Sequence, residues 1–168
     1  KITITAWVKT DFDDFNENYG AFEPYGAVVA RHNGGCGGNN GPEARFYVEK
    51  NGSIYGAYGA GNSTLNDIKS EPIITKNTWS HIAYTFDNKT MKLYHNGELV
   101  KSKEYSVTIP SNDCNTFSIG SAYMSNGIFY KFTGIIDDVS IWKRALKENE
   151  IKEMYNNDNI PLSYYLNK

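Results

Sequence analysis

Two Asn-Gly pairs, Asn51-Gly52 and Asn96-Gly97, each stand between runs of strand-forming residues. A two-residue hairpin turn needs positive φ at its centre, which Asn and Gly adopt at least cost. Asn-Gly between such runs therefore reads as a tight antiparallel hairpin. The first pair joins residues 45–50 to 53–60, and the second joins 90–95 to 98–104. Residues 2–9 (ITITAWVK) alternate cleanly, 27–32 form another strand, and 79–86 are apolar on both sides, as in a central strand. Residues 117–120 and a long run over 129–142, long enough to bend or to serve two sheets, complete the set. Residues 11–25, 33–42 and the stretch up to Pro72 read as loops. Residues 148–155 read as a two-turn helix burying Ile151, Met154 and Tyr155. About ten short strands and no long helix predict an all-β protein, a two-sheet antiparallel sandwich or jelly roll.

At 168 residues the chain suits one domain with a substantial core. The net charge of −2, from 17 basic and 19 acidic residues, contains no basic block, so no nucleic-acid partner is expected. No apolar run approaches a membrane-spanning length, so no membrane insertion is expected. The chain opens on Lys1, and the expectation is a fragment or processed part of a longer protein. Cys36 and Cys114 lie in Gly- and Asn-rich surroundings without a CxxC or clustered His, which argues against structural zinc. They read either as a disulfide in an exported domain or as two free thiols.

Residues 134–155, GIIDDVSIWKRALKENEIKEMY, combine an apolar strand, two adjacent carboxylates, a tight turn and an amphipathic segment. Strict alternation puts Val139 and Ile141 on the face of Asp137, and Ile136 and Trp142 on the face of Asp138. Both carboxylates cannot then face the core. One lies at a rim where solvent, a backbone N–H, an Arg or calcium satisfies it.

Three blocks, ITITAWVK, TWSHIAYTFDNKTMKLYHNGELV and FTGIIDDVSIWKRALKENEI, resemble the laminin-G-like, concanavalin A-like jelly-roll superfamily, in the variant common in bacterial secreted and surface proteins. The blocks fall in that family's order and cover most of the chain. The resemblance implies one jelly-roll domain over residues 1–168 with a short C-terminal helical turn. It also implies a mostly non-catalytic module for glycans or proteins, often with calcium at one rim and attached to other domains. The chain departs from the pattern at two places. The family's segment before the ITITAW strand is missing, and residues 161–168 are a candidate replacement edge strand or linker. Lys147 stands where a Ser or Asp often caps the terminal turn, which predicts a weaker turn.

Asp137 is the first candidate for calcium, a hard cation that takes carboxylate and carbonyl oxygens. The competing reading is a carboxylate that caps loop N–H groups or pairs with Arg144. Asp138 is a second metal candidate, with a solvated or salt-bridged side chain as the alternative. Asn112 and Asp113 offer oxygen ligands beside Cys114, against a solvated turn. Tyr19 and Tyr25 belong to an acidic, aromatic stretch suited to stacking on sugar rings while carboxylates accept hydroxyl hydrogen bonds; the alternative is a loop pinned by its own aromatics. Arg31 can hold a carboxylated or hydroxylated ligand through its fork, or form an ordinary salt bridge. Tyr55 and Tyr58 fall on opposite faces, and either suits a concave binding surface. His81 and His95 read as structural, and Trp7, Trp79 and Trp142 as core or near-core packing.

No nucleophile–base motif and no alternating carboxylate pair on one strand appears, so an enzyme is not expected. The sequence thus predicts a non-catalytic carbohydrate-binding module of a secreted or cell-surface protein, calcium-assisted, with a glycan or glycoprotein as partner. The alternatives are a protein–protein adhesion or structural module and, third, a glycosidase or lyase.

Overall fold

A computed structural model of the chain describes residues 1–11, 25–32, 42–60, 64–105, 116–124 and 127–156. In order, the elements are β1 (Ile2–Thr10), β2 (Tyr25–His32), β3 (Pro42–Glu49), β4 (Ser53–Ala60), β5 (Thr64–Pro72) and β6 (Ser80–Phe86). They continue with β7 (Thr90–His95), β8 (Glu98–Glu104), β9 (Thr116–Ile119), β10 (Ala122–Met124), β11 (Gly127–Phe129), β12 (Gly134–Trp142) and α1 (Glu148–Asn156). Two five-stranded antiparallel sheets form, ordered β12-β1-β6-β7-β8 and β5-β4-β3-β2-β9, with β10 and β11 as a separate ribbon. The expected jelly-roll sandwich is the observed architecture, and the Asn51-Gly52 and Asn96-Gly97 pairs turn hairpins.

Alternation explains how the sheets stack. In β1, Ile2, Ile4, Ala6 and Val8 enter the main core, so Thr3, Thr5 and Trp7 face outward from the sandwich. Ile82, Tyr84, Phe86 and Leu93 of the same sheet meet Phe46, Val48 and Ile54 of the other. Every residue of β6 is buried, as expected of a strand between β1 and β7. Gly56 makes the closest fit between the sheets: a Cβ there would stand 2.7 Å from Tyr84 Cδ2 and 3.3 Å from Leu93 Cδ2.

Three sequence expectations need correction. Residues 64–72, read as loop, form β5; it is an edge strand in which, among the side chains described, only Ile68 and Ser70 are buried, so its pattern is mostly polar. The expected single strand over 129–142 divides into β11 and β12. Tyr130 at φ 52° turns the chain between them, and Gly134 at φ 136° passes so close to the Lys9 carbonyl that a Cβ would collide with it. The strict alternation expected of residues 135–142 also fails. Pairing slips by one residue between Thr5↔Ser140 and Trp7↔Asp137, so Asp138 and Val139 both stand opposite Ala6 in a β-bulge. Direct partners share a face, so Asp137, Ser140 and Trp142 lie outward with Trp7, Thr5 and Thr3, while Ile136 and Ile141 lie inward with Val8 and Ile4.

α1 lies on the outer face of the β12-containing sheet, where Leu146 and the fully buried Ile151 pack on Ala83 and Tyr94. Lys147 lacks a capping oxygen, and Glu150 compensates. Its carboxylate accepts the Lys147 N–H at 2.8 Å and a bidentate pair from Arg144 at 2.8 and 2.6 Å, half of a capping box. The turn at Asn96-Gly97 nests beneath the helix. Asn96 Oδ1 accepts the His81 N–H at 2.9 Å, and Tyr155 lies over Gly97 so closely that any Cβ there would crowd it.

Candidate functional site

Several strand ends meet at one end of the β5-β4-β3-β2-β9 sheet. His32 pairs with Thr116, Pro42 with Ala60, and Ala60 with Thr64. Here Arg31, half-buried, holds its guanidinium carbon 5.5 Å from the centroid of the Phe117 ring, a cation–π arrangement. Arg31 pairs with Ala44, and Ala44 with Tyr58, so all three share one face. Burial pushes the Tyr58 phenol up, while the charge and hydrogen bond of Arg31 pull it back. Tyr58 also packs 5.4 Å from Phe86, which anchors this corner in the core. Of the sequence-chosen residues, Arg31 and Tyr58 come together. Tyr25 does not join them: it opens β2 opposite Glu49, at the other end of the strand. Tyr55 lies on the opposite face with Tyr47 and Tyr130. Tyr19, Asn112, Asp113, Cys36 and Cys114 lie outside the described residues. Phe117 was missed as a partner because its tie to Arg31 is a pairing between strands far apart in sequence.

The two acidic candidates sit in the β12 bulge. Asp137 Oδ1 accepts the Asp138 N–H at 2.9 Å, and Asp138 holds a left-handed φ of 48°, unusual for a residue with a Cβ. Burial, then the charge of Asp137, raises the Asp138 carboxyl above its ordinary range. Arg144, the sequence-proposed partner of Asp137, is instead engaged with Glu150 and lies 5.8 Å from the Trp142 ring. Trp142 itself is 38 % exposed, so it is not core packing. Among the described residues no group of three or more His, Cys, Asp or Glu is placed to hold a metal.

Beside the bulge, between β1, β6, β12 and α1, is a cavity of about 220 Å³ lined by Thr5, Trp7, His81, Asp138, Val139, Ser140 and Met154. Trp7, His81 and Tyr155 form a ring cluster with centroids 5.5 to 6.2 Å apart. Burial, then the nearby charge of His95, holds the His81 imidazole down to about 4, so it is neutral at pH 7. The sequence placed His81 and Trp7 correctly as packed residues but gave no sign that they share a cavity with Asp138. That juxtaposition depends on the bulge. A larger groove of about 530 Å³ runs past Lys92, Arg144 and Glu148, whose charges are taken up internally by the Lys92–Glu148 pair at 2.7 Å and the Arg144–Glu150 pair.

A family model described as the Concanavalin A-like lectin/glucanases superfamily matches residues 1–152. Among solved structures, the CBM40 of Ruminococcus gnavus IT-sialidase bound to α2,3-sialyllactose superposes with a TM-score of 0.73 at 19 % identity, covering 92 % of this chain and 82 % of that one. A heptameric SAP-like pentraxin from Limulus polyphemus gives 0.66 at 18 % identity, over 95 % and 71 %. A leech intramolecular trans-sialidase gives 0.67 at 19 % identity, over 90 % of this chain and 22 % of that one. No curated protein matches the chain. At these identities the likeness to solved structures is one of fold.

Proposed function

We propose, for a chain that belongs to the concanavalin A-like lectin/glucanases superfamily, that it is a non-catalytic carbohydrate-binding domain of a secreted or cell-surface protein. The reading rests on one observation: a guanidinium stacked on Phe117 and bonded to Tyr58 at the corner where strand ends converge. A planar cation set against aromatic rings suits a sugar that carries a carboxylate: the fork binds the acid and the rings cover apolar C–H faces. The CBM40 neighbour, described in complex with sialyllactose, supports an acidic sugar as ligand class. Asn112 and Asp113 stay in the proposal as further ligand contacts.

Calorimetric titration with 3′-sialyllactose, with lactose as the neutral control, tests the corner. The acidic sugar should bind, lactose should not, and Arg31→Ala should abolish binding. Equal binding of both sugars, or an unaffected Arg31→Ala, would overturn this assignment. Calcium at Asp137 and Asp138 is the part of the proposal that chelation decides. Calcium takes about six to eight oxygens; the described residues offer two carboxylates here, and Asp137 already accepts a backbone N–H. Loss of binding in excess EDTA would support calcium there, and binding that persists would remove it from the proposal.

Adhesion is the second reading, favoured by Ile135, Ile141 and Trp142, each 38–40 % exposed on the edge strand β12. Self-association that Ile141→Lys abolishes, together with no response to any glycan on an array, would favour it.

A further inference from the structure

We infer that the flank of the sandwich between β12 and β9 is a docking site for residues 161–168 of this same chain, which add a further strand to the open edge of β12. Both strands are edges of their sheets among the described residues. Ile141 pairs with Ile4, and Ile119 with Val29. Ile4 and Val29 are fully buried in the main core, so both isoleucines face into the sandwich. Yet Ile141 is 40 % exposed and Ile119 56 %. Inward-facing isoleucines left this open mark a layer that ends one strand short, and an apolar edge without cover invites aggregation.

The opposite flank, between β8 and β5, is built differently. There Lys101 and Lys103 of β8 take the inward positions opposite the core residues Leu93 and Met91. Lys103 Nζ and the Tyr105 hydroxyl both donate to the Asp67 carbonyl of β5, which ties the two sheets together along that side. Lysines at the inward positions of an edge strand discourage the addition of another strand. β12 carries Ile136 and Ile141 at the equivalent positions, so its edge accepts what the β8 edge refuses.

Residues 161–168 (PLSYYLNK) lie outside the described residues, and their sequence and tether fit this edge. Pro161 suits the first residue of a strand, where its missing N–H is tolerated. Leu162, Tyr164 and Leu166 then alternate with Ser163, Tyr165 and Asn167, an apolar face against a more polar one. Leu162 and Leu166 are four residues apart. Ile136 and Ile141 stand opposite Val8 and Ile4, also four apart, because the bulge takes up the extra residue. The tether reaches as well. Tyr155, at the end of α1, holds its ring 5.8 Å from that of Trp7, and Trp7 pairs with Asp137. The Gly134 end of β12 is about 10 Å along the strand from Asp137, and residues 157–160 span up to about 14 Å. Residues 161–168 then extend for about 26 Å, close to the length of the nine-residue β12.

The test is NMR of the 168-residue chain with its Ile and Leu methyl groups labelled. NOEs should join Ile136 and Ile141 to Leu162 and Leu166, and they should persist on dilution. Removing residues 161–168 should lower the urea midpoint. It should also speed amide exchange about tenfold or more at the β12 N–H groups that point away from β1. The full-length chain carrying Leu162→Ser and Leu166→Ser should show the same loss of protection, which keeps the test decisive if the shortened chain does not fold. Absence of any NOE from Ile141 to either leucine would overturn the inference, as would a shortened chain with unchanged midpoint and unchanged exchange in β12. NOEs found only between differently labelled chains in a mixed sample would give the flank to a second copy and overturn it too. Sialyllactose plays no part in these readouts, so this inference and the Arg31 assignment succeed or fail separately.

Discussion

Lowering the pH from about 7.5 to about 5 should cost the domain about 2 kcal/mol through His81 alone, and His81→Gln should escape that loss. The imidazole is 3 % exposed, beside the Trp7 and Tyr155 rings, and its folded pKa is about 4 against an ordinary 6.5. Between those values the unfolded chain takes up a proton that the folded chain refuses. The contribution is therefore complete above about pH 6.5 and is lost as pH falls through that range toward 4. Integrated down to pH 4 and below, the gap amounts to about 3 kcal/mol, a large part of a marginal total stability. Other titratable groups face the same region. His95, bonded to Ser80 Oγ at 3.1 Å, is also pushed down by burial, and Asp138 is raised. Both remain in the variant, so the difference between the two proteins isolates His81. Urea midpoints and slopes for wild type and His81→Gln at the two pH values supply the measurement. If both lose stability equally between pH 7.5 and 5, the imidazole is not held neutral by burial and the reasoning fails.

Three further outcomes follow from packing and strain. Gly56→Ala should destabilise by about 1–2 kcal/mol, because overpacking against the fully buried Tyr84 ring outweighs the entropic gain of losing a glycine; a double-mutant cycle with Tyr84→Leu should show strong coupling. Tyr84→Phe should raise the urea midpoint, since the buried Tyr84 hydroxyl has no partner among the described residues and its removal relieves a penalty of about 1 kcal/mol; a clear loss of stability would reveal a partner. Asp138→Gly should stabilise by about 0.5–1 kcal/mol through relief of the left-handed φ; a lower urea midpoint would make the Asp138 side chain a structural one.

The fold was legible because its strongest signals are local. The Asn-Gly hairpins, the alternation of β1 and the doubly apolar β6 each specify a strand from neighbouring residues. What escaped were features written on a partner strand. β5 pairs along its backbone with few buried side chains, and the bulge at Asp138 and Val139 is an event in the register between β1 and β12 that no periodicity within β12 reveals. That single inserted residue reassigns Ile141 and Trp142 to opposite faces from those expected. The sites divide in the same way. Arg31 and Tyr58 stood out by chemical type, whereas their alignment with Phe117 follows from the pairing of β2 with β9. The meeting of His81, Trp7 and Asp138 depends on three strands and a helix at once.

The position of β1 between β6 and β12 also has a kinetic consequence. Its Thr3 hydroxyl closes a hydrogen bond across 141 residues, to the Arg144 carbonyl. Contacts of that sequence separation form late and place the domain among slow-folding, high-contact-order topologies. During synthesis β1 can pair with β6 once Phe86 has emerged, but its other edge waits 56 residues more for Trp142, which at about 5–20 residues per second is roughly 3–11 s. Through that interval Ile4 and Val8 belong to an unfinished sheet with an open edge. The domain is thus most prone to aggregate on the ribosome just before β12 arrives, and truncations that remove β12 and α1 should accumulate as insoluble chains rather than as smaller folded ones.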